Sequence, residues 1–180
     1  SITTGDYNVG VGDNALTASN TGGENTAVGY QGLSGNTTGT RNTAVGKSSL
    51  ATASTASHNT AVGFQTLQVA TASYNTAIGS WALKKNTTGV NNTASGYSAL
   101  HYNTTGASNT ASGYYALHNN TTGTNNTASG HGALYSNTTG IRNTASGMYS
   151  LNSNTTGNYN VASGVEALRN NTTASYNTAS

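Results

Sequence analysis

The sequence predicts an all-β fold, a parallel β-solenoid (β-roll) whose coils are 17 residues long. Two observations favour this class: a 17-residue unit recurs along the chain, and one leucine occupies the same place in each unit that reaches it. A third observation removes the main alternative. No segment carries apolar residues at helical spacing over a useful length, and Thr, Asn, Ser and Gly are poor helix formers.

The repeat is defined by the asparagine that begins each unit. Its consensus is N-T-A-(V/S)-G-x-x-A-L-x-x-N-T-T-G-x-x, and we number its positions 1 to 17. Every step between first asparagines is 17 residues except that from Asn59 to Asn75, which is 16. Position 1 predicts an asparagine ladder along the solenoid, comprising Asn25, Asn42, Asn59, Asn75, Asn92, Asn109, Asn126, Asn143 and Asn160.

The leucine at position 9 predicts the core. One large apolar residue per unit cannot bury itself alone, whereas a stacked column of leucines forms a continuous narrow core. The predicted core ladder is Leu16, Leu33, Leu50, Leu67, Leu83, Leu100, Leu117, Leu134, Leu151 and Leu168.

The polar positions fit the corners of such a coil. Successive coils stack at the strand spacing of ~4.8 Å, which gives a rod of roughly 50 Å for about ten and a half coils. Stacked asparagines bond amide to amide along the rod, at position 1 and again at position 12 from Asn86 through Asn171. Glycines at positions 5 and 15 are expected to supply backbone freedom at the corners.

Two irregularities refine the prediction. The 16-residue unit loses its residue between Leu67 and Asn75, where "ATASY" replaces the N-T-T-G turn, so the leucine and asparagine columns should stay in register. Position 4 changes from Val or Ile to Ser between Ile78 and Ser95. Positions 2 and 4 share one strand face, so this face tolerates a change of polarity.

Composition narrows the function classes. Charged residues make up 6% of the chain and the net charge is +2, without a basic stripe for nucleic acid. The chain has no Cys, and no apolar run approaches the length of a membrane span. We expect one repeat domain over residues 1–180, uncapped at both ends and therefore a segment of a longer fibre or filament.

The stretch "NTAVGYQGL" at Asn25–Leu33 and the recurring "NTTG" resemble repeats of phage tail-fibre-like and bacterial surface proteins. This resemblance covers nearly the whole chain. The "AVG" and "AIG" segments at Ala27–Gly29 and Ala77–Gly79 are also similar to head repeats of trimeric autotransporter adhesins, over about a third of each unit. The second resemblance implies a left-handed parallel β-roll assembled as a homotrimer, and neither resemblance implies catalytic residues.

Candidate sites are few. We predict no catalytic residues, no cofactor and no metal, because the carboxylates are dispersed and the stacked His101 and His118 lack a third ligand. Those two histidines are expected to form a solvated column. The N-T-T triplets match the N-glycosylation acceptor, although the repeat itself generates them. Aromatic residues at positions 6 and 7 form a candidate contact surface, namely Tyr30, Phe64, Trp81, Tyr97, Tyr114, Tyr115 and Tyr149.

Three functions are therefore weighed. The first is a structural or adhesive segment of an extracellular fibre, located on a cell or virion surface. It would self-associate as a homotrimer or filament and contact host-surface glycans, without nucleic acid or membrane insertion. The second is ice binding by a Thr/Ser array, with pairs such as Thr93/Ser95 and Thr110/Ser112. The third is carbohydrate binding through the aromatic column.

Overall fold

The computed structural model describes residues 5–18 and 21–180, and it confirms the predicted parallel β-solenoid. The described residues form one parallel sheet in which each strand pairs with the strand of the next coil, residue for residue. The strands are β1 (Val9–Val11), β2 (Thr26–Val28), β3 (Thr43–Val45), β4 (Thr60–Val62), β5 (Thr76–Ile78), β6 (Thr93–Ser95), β7 (Thr110–Ser112), β8 (Thr127–Ser129), β9 (Thr144–Ser146), β10 (Val161–Ser163) and β11 (Thr178–Ala179).

Each strand is confined to positions 2–4 because its neighbours turn the chain. Position 5 is always glycine here, with φ between +121° and +138°, a region that side chains rarely tolerate. Space forbids a side chain as well, since a Cβ on Gly113 would lie 2.6 Å from the carbonyl oxygen of Gly130 in the next coil. The glycine column therefore ends the sheet along its whole length.

Position 15 is glycine for a different reason from the one the sequence suggested. Its backbone lies outside the left-handed region, but a Cβ on Gly106 would lie 2.4 Å from Oδ1 of Asn103. The same Cβ would lie 2.4 Å from the carbonyl oxygen of Gly123 in the next coil. Close approach of neighbouring groups, rather than conformational freedom, explains this glycine.

Non-glycine residues adopt the left-handed conformation at positions 7, 9 and 17 of the coils. The core leucines all do so, with φ between +48° and +52°. Such a conformation costs roughly 1–2 kcal/mol per residue outside glycine. Burial offsets this cost for the leucines, and the turns let 17 residues close into a coil with a single short strand.

The core is one leucine and one or two alanines wide. The leucines from Leu16 to Leu151 are at most 1% exposed, whereas Leu168 in the last complete coil is only partly buried. Strand alanines such as Ala94 and Ala111, and position-8 alanines such as Ala116, fill the space beside them. The core therefore runs along the rod axis without widening.

The short unit is accommodated as predicted. Thr60 pairs with Thr76 and Ala61 with Ala77, so the sheet continues in register across the missing residue. The amide of Leu67 donates to the carbonyl of Ala82, in the way that Leu50 donates to Thr66 one coil earlier. The residue is lost from the turn alone.

The position-1 asparagines from Asn25 to Asn160 are buried, and they connect coils partly as predicted. Oδ1 of Asn92 accepts the backbone N–H of Asn109 at 3.0 Å, and Nδ2 of Asn92 donates to the carbonyl of Gly106 at 2.9 Å. The main link is thus from side chain to backbone. Direct amide contacts add to it in the later coils, as where Nδ2 of Asn109 lies 3.2 Å from Oδ1 of Asn92.

The position-12 asparagines form the amide-to-amide ladder that was predicted. Nδ2 of Asn120 donates to Oδ1 of Asn103 at 2.7 Å and to the carbonyl of Gly123 at 3.0 Å. Its own Oδ1 accepts from Nδ2 of Asn137 at 2.8 Å. This pattern extends from Asn86 to Asn171.

Candidate functional site: an aromatic strip on one side of the rod

The largest departure from the repeat is a set of aromatic side chains on one side of the rod. We call it the aromatic strip and define it as Trp81, Tyr97, His101, Tyr114, Tyr115, His118, His131, Tyr135 and Tyr149. Phe64 extends it at one end, with its ring 6.4 Å from that of Trp81. Six of the seven predicted contact residues therefore belong to one connected set of rings. Tyr30 lies apart, beneath the ammonium of Lys47.

Position 6 contributes the first column of stacked rings. The rings of Tyr97 and Tyr114 are 5.3 Å apart and inclined by 12°. His131 continues this column at 5.1 Å from Tyr114. Because equivalent residues of adjacent coils are one strand spacing apart, the planes of these rings lie roughly across the rod axis.

Position 10 contributes a second column beside the first. His118 stacks on Tyr135 at 5.3 Å and 5°, and its centroid lies 5.3 Å from that of His101. The expectation of a solvated histidine column is wrong, since His101 is only 9% exposed and His118 is half-buried. The sequence does indicate this column, because three successive units with an aromatic ring at position 6 also have one at position 10, as with Tyr97 and His101.

Position 7 lies between the two columns and alternates large and small residues: Trp81, Ser98, Tyr115, Gly132 and Tyr149. Tyr115 meets Tyr97 at 72° and His118 at 74°, so its ring runs along the rod rather than across it.

A ring in that orientation extends over the neighbouring coil. The ring of Tyr149 covers Gly132, where an added Cβ would lie 2.8 Å from Cδ1 of the tyrosine. A small residue in every second coil makes room for these rings.

Two hollows result from the alternation. The first has a volume of about 330 Å³ and is bordered by Trp81, Ser98, His101, Tyr115 and His118. The second has a volume of about 360 Å³, and its lining residues are Tyr114, Tyr115, His131, Gly132, Tyr135, Tyr149 and Asn152. Tyr115 lines both hollows, which makes them adjacent parts of one trough.

His101 and His118, which line the first hollow, both have a lowered pKa. Burial, together with the nearby His118 and Lys84, lowers the pKa of His101 to about 4, whereas its hydrogen bond to the backbone of Trp81 acts in the opposite direction. Burial also lowers the pKa of His118, against its hydrogen bond to the carbonyl of Ser98. Nδ1 of His101 is buried and has no hydrogen-bond partner among the described residues.

Cations lie at the two ends of the strip. Nζ of Lys84 sits 5.5 Å from the centre of the Trp81 ring and donates to Oε1 of Gln65 at 2.8 Å. At the far end, the Arg169 guanidinium lies 5.2 Å from the centre of the Tyr149 ring and pairs with Glu166. The strip thus has an ammonium group at its Trp81 end and an ion pair at its Tyr149 end.

The outer face of the sheet is a second regular surface. From β6 to β9 it presents Thr and Ser side chains at positions 2 and 4, and all of them are exposed. In the earlier coils Val28 and Ile78 occupy position 4 and are 38% and 46% exposed. The predicted tolerance of this face to polarity follows from its exposure.

Three other kinds of site bear on function: a metal site, a membrane span and glycosylated asparagines. Within residues 5–18 and 21–180, no three histidine or acidic side chains come together as a metal site. The same residues contain no helix that is long and apolar enough to cross a membrane. The N-T-T asparagines from Asn36 to Asn154 are fully buried, so the folded chain does not present these asparagines for glycosylation.

No family model, curated protein or solved structure matches this chain.

Proposed function

We propose that this chain is a structural and adhesive rod segment of an extracellular fibre, such as a surface filament, an adhesin head or a phage tail fibre. The observation that carries the proposal is the uninterrupted stack of coils. Each coil is hydrogen-bonded to the next through the sheet, the turns and the asparagine ladders. Such a stack gives length and lateral stiffness with a core only one leucine wide.

The surface of the rod supports an adhesive role. It carries few charges, so little electrostatic repulsion opposes close approach of copies or of a partner. It also displays two apolar regions along its length, the aromatic strip and the Val/Ile half of the sheet face. We propose self-association through the Val/Ile half of the sheet face, as a homotrimer or as a filament, and contact with a partner through the aromatic strip.

Electron microscopy of the native material and sedimentation of the purified chain test this proposal together. We expect rods, with roughly 50 Å of length for the described coils, that sediment as trimers or longer polymers. A stable monomer at micromolar concentration would contradict the assembly. Material that forms neither rods nor fibres in its native setting would contradict the structural role.

Ice binding remains a second candidate because of one observation on the sheet face. The exposed hydroxyls of Thr93, Thr110, Ser95 and Ser112 stand in two straight columns at strand spacing. By contrast, hydroxyls in the turns bond to the next coil, as Thr104 does to the carbonyl of Thr121.

Thermal hysteresis measurements decide between the candidates. Ice binding predicts thermal hysteresis that Thr110→Tyr abolishes, because a bulky ring would break the flat array, whereas the fibre function predicts none.

A further inference from the structure

We propose that the aromatic strip is a glycan-binding site that takes a linear oligosaccharide along the rod axis, with one pyranose ring in each hollow. This proposal deepens the adhesive part of the function proposed above. It names the partner class, and its evidence is the arrangement of side chains around Trp81, Tyr115 and Tyr149.

The first step is the spacing of the hollows. Both occur where position 7 is small, at Ser98 and at Gly132, and these residues are two coils apart. At the strand spacing this separation is about 10 Å. It is comparable with the length of a disaccharide unit in an extended glycan, so alternate sugar rings of one chain would meet equivalent surroundings.

The second step is the chemistry of the lining. A pyranose ring has an apolar C–H face and a rim of hydroxyl groups, so it suits sites that combine aromatic rings with a few neutral polar groups. Tyr115 and Trp81 supply rings to the first hollow, with His118 and the Lys84 ammonium beside them. Tyr115 and Tyr149 supply rings to the second, with Asn152 beside them.

The third step is the state of the polar groups. His101 and His118 are kept neutral at pH 7 by burial, and a neutral imidazole both donates and accepts a hydrogen bond. The unpartnered Nδ1 of His101 lies in a side chain that lines the first hollow. A buried polar atom without a partner costs folding free energy, and because this atom is closed to solvent, a ligand hydroxyl or a bridging water reaches it only when the surrounding rings move.

A second copy of this chain is the competing occupant. Arg169 is paired with Glu166, so charge does not distinguish a second copy from a glycan. The spacing of the two hollows and the neutral polar groups beside their aromatic rings favour the glycan. The variants below distinguish the two occupants.

Binding can be measured on the unmodified chain because Trp81 is its only tryptophan. Hexasaccharides of β-1,4-linked glucose, N-acetylglucosamine and mannuronic acid are titrated while Trp81 emission is followed, and the chain is also applied to a glycan array. We expect saturable binding of at least one linear glycan, with a hexasaccharide at least tenfold tighter than a trisaccharide of the same sugar. The length dependence follows from the two hollows.

Variants separate binding from folding. Tyr115→Ala removes the ring shared by both hollows and should weaken the bound glycan at least tenfold. Tyr159→Ala is the matched control, because Tyr159 stacks on Tyr176 outside the strip and should leave the affinity within twofold. If Tyr115→Ala fails to fold, Tyr149→Ala tests the second hollow alone and should abolish the gain from trisaccharide to hexasaccharide.

Three results would overturn the proposal. They are the absence of glycan binding on the array and in the titrations, binding that the Tyr115 and Tyr149 variants leave unchanged, and self-association that Tyr115→Ala disrupts in place of glycan binding. The rods seen by electron microscopy are a separate readout. The fibre function can therefore fail while glycan binding stands, and the reverse also holds.

Discussion

The corner formed by positions 12 to 15 is built in two ways within this one chain. In coils such as that of Asn103 and Gly106, the asparagine amide bonds to the next amide and to the glycine carbonyl. In two earlier coils, alanine replaces both residues, as at Ala53 and Ala56, and the corner packs as part of the apolar core. Asparagine at position 12 therefore occurs with glycine at position 15, and alanine at position 12 occurs with alanine at position 15. The reason is that an alanine Cβ at position 15 would press against the asparagine Oδ1.

The junction between the two kinds of corner shows what the ladder requires. Oδ1 of Asn36 is buried without a partner because Ala53, in the next coil, has no side-chain amide to donate to it. Along the ladder, the equivalent oxygen of Asn103 accepts from Asn120. In the last complete coil Asn171 does occur with Ala174, but Ala174 is exposed and Asn171 only half-buried there, so the side chains have room.

The alanine corners also surround the place where a residue is missing. An amide ladder needs neighbouring corners of equal geometry, whereas alanine makes no hydrogen-bond demand and tolerates a change of length. The 16-residue unit therefore falls where Ala53 and Ala70 have replaced asparagine. An asparagine ladder therefore requires corners of equal length, whereas an alanine corner tolerates a turn that is one residue shorter.

The largest effect is expected in the leucine column, which both kinds of coil share. Leu117→Ala in a ladder coil and Leu67→Ala in an alanine coil should each lower the free energy of unfolding by about 2–5 kcal/mol, as for other buried leucines. Urea denaturation of both variants measures this. A cost well under 1 kcal/mol in either coil would show that the leucine core does not support the two regions equally.

Breaking the ladder in its middle comes next. Asn120→Ala leaves Oδ1 of Asn103 without its donor and removes one acceptor of Asn137, so it should cost about 2–3 kcal/mol. The matched control is Asn119→Ala at position 11 of the same coil, a half-buried residue outside the ladder, which should cost less than about 1 kcal/mol. Equal losses for the two variants would mean that the ladder adds no stability.

Converting an alanine corner into a ladder corner tests the coupling directly. Ala53→Asn alone should cost about 1–3 kcal/mol, because its new oxygen would press against the Cβ of Ala56. Adding Ala56→Gly should bring stability back to within about 1 kcal/mol of the original chain. We expect no stability beyond that of the original chain. The amide introduced at residue 53 would donate to Oδ1 of Asn36, but its own Oδ1 would face Ala70 and would be left without a donor. Additive costs in this double-mutant cycle would contradict the coupling.

The sequence predicted the fold because the repeat makes its strongest signals redundant. Leucine at one position and asparagine at two others define the core and both ladders, and the register across the short unit follows from them. It did not predict that Leu117 and its equivalents adopt the left-handed conformation. Leucine ordinarily avoids that conformation, and only closure of the whole coil enforces it.

The aromatic strip was predicted in part. Tyr97, Tyr114 and Trp81 stood out by repeat position, but His101 was expected in solvent because one sequence position gives no burial. Its burial depends on the ring of Trp81 in one neighbouring coil and that of His118 in the other. Such a property of neighbouring coils emerges only when they are stacked.

Acidity should distinguish the ladders from the strip. Amides do not titrate, so the difference between Asn120→Ala and the original chain should stay constant from pH 7 to pH 4. The pKa of His101 falls from 6.5 to about 4 on folding, so the unfolded chain binds its proton first. Stability from this group is complete above pH 6.5 and is lost as pH falls toward 4, by about 1–2 kcal/mol after allowance for solvent screening.

The control for the acidity prediction is His101→Asn. Asparagine already occupies this repeat position in a later coil, at Asn152. Denaturation midpoints at pH 7, 5.5 and 4 should fall less in this variant than in the original chain. His118 keeps part of the effect because burial also lowers its pKa. An identical pH dependence in the two proteins would contradict the burial of a neutral His101.

The smallest effect concerns the left-handed residues that both regions share at position 17. Ser108 is exposed and has φ of +57°, so its conformation costs free energy that core burial does not offset. Ser108→Gly should stabilise the rod by about 0.5 kcal/mol, since relief of this strain exceeds the entropy that glycine adds to the unfolded chain. Thr105→Gly is the matched control, because Thr105 is exposed in the same coil outside the left-handed region, and it should destabilise by about 0.5–1 kcal/mol. Thermal and urea denaturation measure the change in the free energy of unfolding for both variants. The two changes should have opposite signs if backbone conformation, rather than side-chain contact, decides the effect of glycine at each position. A loss of stability in both variants would show that the left-handed turns carry no strain for glycine to relieve.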